Sequence, residues 1–185
     1  MTTALVVVDM QNAFVAPDGG AAVDGAERAV AVVNRRVAAA SARGWPTFYT
    51  RDVDPTGRRG PAADHDTALH PGLDVRGIIV DKGSGSAAGF TGFALASTAA
   101  GGTPGGGGLS ALAGLLREAA TDRVLVVGLA ADVCVAATAR DARRLGYATA
   151  IDLDATAFVH AHPDGDDAAL ADLRAAGVRL EHSTE

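Results

Sequence analysis

Short apolar runs rich in Val, Ile and Leu recur along the chain at residues 5–8, 47–50, 77–80, 124–127 and 148–153, with a weaker one at 178–180. Each reads as a β-strand. Most are continuously apolar instead of alternating, the pattern of strands covered on both faces in a parallel sheet between helices. Helical spacing fills the intervals. Between residues 24 and 43, Ala26, Val30, Val33, Val37 and Ala40 step by four and three, and Gly44 followed by Pro46 supplies a stop. Leu109, Leu112, Leu115 and Leu116 mark a second helix, Val135, Ala139, Ala142 and Leu145 a third, and Leu170 with Leu173 a shorter one before Gly177. The order β-α-β-β-α-β-α-β-α-β predicts an α/β fold, a doubly wound, mainly parallel sheet flanked by helices in three layers, with residues 1–185 as one domain.

Three stretches do not fit as mere connectors. Residues 52–73 are polar and carry Pro and Gly, residues 83–103 mix Gly and Ser with two phenylalanines, and residues 101–108 read GGTPGGGG, a flexible hinge or linker by composition. Long loops on a rigid scaffold often carry function, which draws attention to the first two.

Composition narrows the class. At 185 residues, with 48% hydrophobic and 21% charged, the chain can bury a sizeable core and is not a disordered protein. The net charge of −6 and a scatter of 16 Lys and Arg give no phosphate-tracking face, so nucleic acid is not an expected partner. One cysteine excludes an internal disulfide framework. The apolar stretch Ala4 to Val8 runs straight into Asp9 and is too short for a signal peptide or a membrane span, so a cytoplasmic location off the membrane is expected.

In an open α/β sheet the ligand crevice lies beyond the carboxyl ends of the strands. Three reactive residues stand there: Asp9 after LVVV, Lys82 after IIVD, and Cys134 after VLVVG and the turn LAAD. Asp132 is placed to cap the helix that starts near Cys134, whose unpaired first-turn N–H groups would lower the thiol pKa, and the backbone N–H groups of the Leu129 to Cys134 turn could serve an oxyanion. Asp9 could take the thiol proton and pass it to a leaving group, with Lys82 as the cation that keeps the pair poised. The plainer alternatives are a small buried hydrophobe at 134, a loop-capping aspartate and a solvated lysine. No histidine offers a Cys-His arrangement by position, because His160, His162 and His182 lie late in the chain.

The segments VVVDMQNAF, the KG of VDKG with GFTGF after it, and GLAADVCVAATARDARRLGY resemble the isochorismatase-like hydrolases, in particular their nicotinamidase branch, over nearly the whole chain. That resemblance implies a Cys-Lys-Asp constellation at Cys134, Lys82 and Asp9. It implies a thiolate that attacks an amide carbonyl, an aspartate that shuttles the proton letting ammonia leave, and a thioester then opened by water, with no organic cofactor. It further implies a cis peptide at Leu129-Ala130 and an oxyanion hole from the backbone N–H groups of Ala130 and Cys134. Family members that cleave isochorismate lack the cysteine, so the resemblance favours acyl transfer on a small amide substrate. Related proteins are often dimers or tetramers, which leaves homo-oligomerisation open.

Phe14 matches the position where nicotinamidases set an aromatic against the substrate ring, and Phe90 or Phe93 could add to that wall, although such phenylalanines are as readily plain core. Nicotinamidases also carry a divalent metal in the loop after the second strand, and the candidate ligands here are Asp52, Asp54 and His65 for Zn, Mn or Fe. Asp54 stands where a histidine is usual, the middle histidine has no counterpart, and DVD and DHD read equally as solvated loop charges. Ala13 replaces an aspartate of the usual Q-N-D-F run, and the loop tryptophan is absent, the single Trp45 preceding a strand. Nicotinamide is the expected substrate. The alternatives are another C–N bond, in an N-carbamoyl compound, a maleamate-like acid or a secondary-metabolite amide or lactam, or a binding module that keeps the fold without turnover.

Overall fold

A computed structural model describes residues 1–83, 90–93 and 110–183. Six strands, β1 (Thr2–Val8), β2 (Thr47–Asp52), β3 (Ile78–Lys82), β4 (Thr121–Leu129), β5 (Ala148–Ala157) and β6 (Arg179–Glu181), form one sheet in the order β3-β2-β1-β4-β5-β6. Every neighbouring pair is parallel. The chain winds outward from β1 to β3 and then returns to the centre to wind the other way from β4, so the switch point lies between the carboxyl ends of β1 and β4. Asp9 is the first residue past β1, and Cys134 lies one turn past β4.

The continuous apolar runs are explained by burial on both faces. Along β1, Leu5 and Val7 enter one core with Val33, Val37 and Tyr49, while Ala4, Val6 and Val8 enter the other with Leu112, Leu116, Val135 and Ala139. Each Val or Leu side chain among them, removed fully from water, stabilises the fold by about 1.5–3 kcal/mol before entropy is counted. The first core is covered by α2 (Ala26–Ala42), the second by α4 (Ala111–Glu118), α5 (Cys134–Arg144) and α6 (Asp166–Ala175). Gly44 ends α2 as the spacing predicts: it takes φ +67°, its N–H reaches Ser41 O, and the Trp45 N–H reaches Ala40 O, the two bonds of a Schellman stop.

Two expectations change. β3 is the edge strand, and its Ile78 and Ile79 are half-exposed at 50% and 44%, so its apolar run does not mean cover on both faces. The 52–73 stretch is not plain loop: α3 (Pro61–Thr67) folds inside it, opened by Gly60 in a left-handed conformation and Pro61 in its first turn. A single turn, α1 (Asn12–Val15), also follows β1. The linker expected at residues 101–108 and the start of the second helix at Leu109 lie outside the described residues. Among the described residues no helix is long and apolar enough to cross a membrane.

Gly128 shows how tightly β1 and β4 meet at the switch point. It has φ +108°, and a Cβ there would sit 2.2 Å from the carbonyl oxygen of Val8. Gly128→Ala is therefore expected to cost more than about 3 kcal/mol of unfolding free energy in denaturant titrations, strain and clash together. Gly146→Ala, at φ +95° but with nothing within 4 Å, should cost only about 1 kcal/mol.

Candidate active site

The carboxyl end of β1 hands the chain to Asp9, which adopts φ +49°, a left-handed conformation that aspartate tolerates better than most residues. Its N–H donates to Thr50 O at 3.2 Å and to Thr50 Oγ1 at 3.3 Å, and the Thr50 hydroxyl donates to Asp9 Oδ1 at 2.7 Å. The neighbouring strand thus fixes both ends of the residue. Lys82, the last residue of β3, brings Nζ to 2.7 Å from Asp9 Oδ2, with both side chains essentially sealed from solvent at 0% and 1% exposure. Nζ also donates to Phe90 O at 2.6 Å. Oδ2 meets the ammonium as an ion pair without an aligned hydrogen-bond donor, so it keeps acceptor capacity. Removing either partner of such a pair would strand a buried charge at about 3–5 kcal/mol.

Burial works against the Lys82 ammonium, but Asp9, Cys134 and Asp52 outweigh it and hold its pKa above that of an ordinary lysine. Cys134 opens α5 and is buried. Burial, reinforced by the Asp9 charge, pushes its thiol well above the ordinary cysteine range, against the opposing pull of Lys82. The expectation that the helix start lowers the thiol pKa is not met: burial and the Asp9 charge raise it. Asp132 does not cap the helix either. Val133 occupies the cap position with no side-chain bond, and the Asp132 carboxylate instead accepts the N–H groups of Val159 at 3.0 Å and Ala161 at 2.6 Å, tying down the segment after β5. The Leu129-Ala130 peptide is cis. The N–H groups of Ala131, Val133 and Val135 are engaged by backbone carbonyls, whereas among the described residues those of Ala130 and Cys134 have no acceptor.

Ala130 and Cys134 line a cavity of about 160 Å³. Phe14 and Phe90 are both in its wall, with Asp52, Pro55, Val133 and Val159. Phe93, by contrast, is 2% exposed and belongs to the second core. A larger hollow of about 460 Å³ around Trp45 and Arg123 opens at the amino ends of the strands, on the far side of the sheet from Cys134, and holds no nucleophile.

The expected metal ligands are not brought together. Asp52 lines the cavity and its Oδ1 accepts the Asp54 N–H at 2.9 Å. The Asp54 carboxylate instead takes the Gly57 N–H at 3.1 Å and the Arg59 guanidinium at 3.3 Å. His65, on α3, turns to Asp66 at 3.5 Å and Asp18 at 3.9 Å. Among the described residues no three His, Cys, Asp or Glu side chains are grouped to hold an ion. The residues present do not fit a metal, because the loop's charges are spent on one another.

Several positioning residues have roles that their residue type does not announce, although Gln11 and Thr138 lie within the segments VVVDMQNAF and GLAADVCVAATARDARRLGY. Gln11 is fully buried. Its Nε2 donates to Asp52 O at 2.8 Å and Thr67 O at 3.0 Å, and its Oε1 accepts the Asp52 N–H at 2.9 Å, clamping the end of β2. Thr138 Oγ1 accepts the Gly92 N–H at 2.9 Å, and Ser110 Oγ donates to Gly92 O at 2.6 Å, so α5 and the start of α4 hold the segment that offers Phe90 O to Lys82. Fully buried Asp66 gathers Thr56 Oγ1 at 2.7 Å, Arg58 at 3.2 Å and the Gly20 N–H at 3.3 Å. A run of apolar neighbours would have flagged burial, and none of these polar residues has one on both sides.

The Isochorismatase domain family matches residues 3–185. The chain belongs to the isochorismatase family. It is 33% identical to the nicotinamidase/pyrazinamidase of Mycobacterium tuberculosis (strain ATCC 25618 / H37Rv), covering 96% of this chain and 97% of that protein. The solved structure of PnC1 from L. infantum in complex with nicotinate matches 98% of this chain and 92% of its own, with TM-score 0.78 and 29% identity. Pyrazinamidase of Pyrococcus horikoshii, solved in complex with zinc, shares the fold at TM-score 0.78 and 24% identity, over 99% of this chain and 100% of that one.

The opposing influences on the isochorismatase-family thiol predict its alkylation by iodoacetamide. Asp9→Asn removes the negative neighbour and should move the pH profile of alkylation toward acid, while Lys82→Met removes the cation and should move it toward alkali. Identical profiles for the two variants would contradict the arrangement.

Proposed function

We propose that this amidohydrolase cleaves nicotinamide to nicotinate and ammonia, with Cys134 as nucleophile, Asp9 as proton shuttle and Lys82 as the charge that steadies Asp9. The observation that carries the reading is the sealed Asp9–Lys82 pair beside a thiol that both groups perturb. Support for the substrate comes from the 33% identity to a nicotinamidase/pyrazinamidase and from the aromatic pair Phe14 and Phe90 in the wall of a cavity sized for one small ring.

Burial and the Asp9 charge push the Cys134 thiol above the ordinary cysteine range, and sulfur becomes the nucleophile as its proton moves to Asp9. Sulfur bonds to the amide carbon while the carbonyl electron pair withdraws to oxygen, and the Ala130 and Cys134 N–H groups, which have no acceptor among the described residues, stabilise that oxyanion. The oxyanion collapses, the C–N bond breaks, and Asp9 returns the proton to the departing nitrogen, which leaves as ammonia. A thioester remains. Water then gives a proton to Asp9 and its hydroxide to the acyl carbon, the C–S bond breaks, and Asp9 reprotonates the sulfur. Lys82 balances the charge of Asp9 between these steps, and its bond to Phe90 O ties that balance to the pocket wall.

A second reading, hydrolysis of another small C–N bond such as that of an N-carbamoyl compound or maleamate, is favoured by the unassembled ligand set around Asp52. Ammonia release from nicotinamide, pyrazinamide, maleamate and N-carbamoyl amino acids separates the two. Nicotinamide is expected to be turned over fastest, with Cys134→Ala lowering the rate by about 10⁴-fold or more and Asp9→Asn by roughly 10²–10⁴-fold. Hydrolysis by Cys134→Ala at the wild-type rate would remove the nucleophile, and turnover confined to another amide would move the substrate.

A further inference from the structure

We propose that the pocket takes uncharged aryl carboxamides by ring shape alone, without a metal and without need of a ring nitrogen, so that benzamide-type substrates serve as well as pyridine carboxamides. This rests on the thiol-based reading above and narrows its substrate class.

The first support is where the imidazoles go. His65 faces Asp66 and Asp18, His70 Nδ1 accepts the Gly72 N–H at 3.2 Å, and His160, His162 and His182 pair with Asp166, Asp172 and Asp154. The stretches outside the described residues contain no His, Cys or Asp, and their one acidic residue is the terminal Glu185. Every imidazole of the chain is thereby accounted for away from the cavity wall.

The second support is that the loop is fastened without an ion. Asp66 is sealed from solvent and draws in Thr56, Arg58 and the Gly20 N–H, while Arg59 closes on Asp54. A loop ordered by its own charges needs no cation to shape the pocket.

The third is the wall itself. Among the described residues, and apart from Asp52 and Cys134, it is built of apolar residues, with Phe14, Val23, Phe90, Val133 and Val159 around the space beyond the thiol. A ring nitrogen entering this space gives up its hydrogen bond to water and meets carbon, whereas a phenyl ring gives up nothing. An aromatic ring between Phe14 and Phe90 is recognised by its faces and edges, which benzamide and nicotinamide share.

Aldehydes test this without relying on turnover, because an aryl aldehyde adds reversibly to a pocket thiol, carbon to sulfur, with the thiol proton passing to the carbonyl oxygen. Benzaldehyde and pyridine-3-carbaldehyde are titrated into the wild-type protein with and without EDTA, with Cys134→Ala as the control for addition elsewhere. Metal content is read by elemental analysis after incubation with Zn or Mn and desalting. The expected result is affinities within about tenfold of each other, unchanged by EDTA and by His65→Asn, lost in Cys134→Ala, with well under one ion per chain. A preference of about 100-fold or more for the pyridine, loss of binding in EDTA, stoichiometric metal, or no Cys134-dependent binding of either aldehyde would overturn it. The amidase reading fails separately, if both aldehydes bind Cys134 and neither amide is hydrolysed.

Discussion

The ion pair between Lys82 and Asp9 is the constraint around which the carboxyl face of the sheet is organised. Its partners come from the ends of two strands that are not neighbours, β1 and β3, with β2 between them supplying Thr50 to hold the carboxylate. Two charges taken wholly from water are tolerated only when further polar contacts satisfy them, and each of those contacts recruits another element. Thr50 commits β2, Phe90 O commits the segment after β3, and through Gly92 that segment is bound to Thr138 on α5, the helix that begins at Cys134. Cys134 and the Asp9–Lys82 pair are held in one connected network, not merely placed side by side.

The same network accounts for the resting state of the thiol. A helix start exerts its field on an exposed cysteine, but here desolvation and a carboxylate dominate. The Asp9 carboxylate that helps raise the thiol sits in the same buried space as the sulfur. The left-handed backbone at φ +49° and three bonds to Thr50 define the geometry of Asp9.

Much of this was legible in the chain. Runs buried on both faces gave the central strands, because a parallel sheet between helices imposes continuous apolarity, and the rule that ligands meet the carboxyl ends of strands singled out Asp9, Lys82 and Cys134 before any coordinates. What was not legible is polar and non-local. Gln11, Thr50, Thr138 and Asp66 act on partners 41, 41, 46 and 10 positions away, and no periodicity encodes such a pairing. Asp132 looked like a cap because it precedes a helix, yet two N–H groups past β5 compete for it. Asp54 and His65 looked like ligands by residue type, and only the positions of Arg59 and Asp66 show where their charges are directed.

The central claim is that Cys134 forms a bond to the substrate's acyl carbon with Asp9 as its base. Acid-quenching the protein during turnover of nicotinamide and weighing the intact chain tests that claim most directly. The account predicts a species heavier by one nicotinoyl group, located on Cys134, that accumulates in proportion to turnover and disappears as the amide is consumed. Ammonia release at full rate with no acylated chain at any quench time, or with the added mass on another residue, would contradict it.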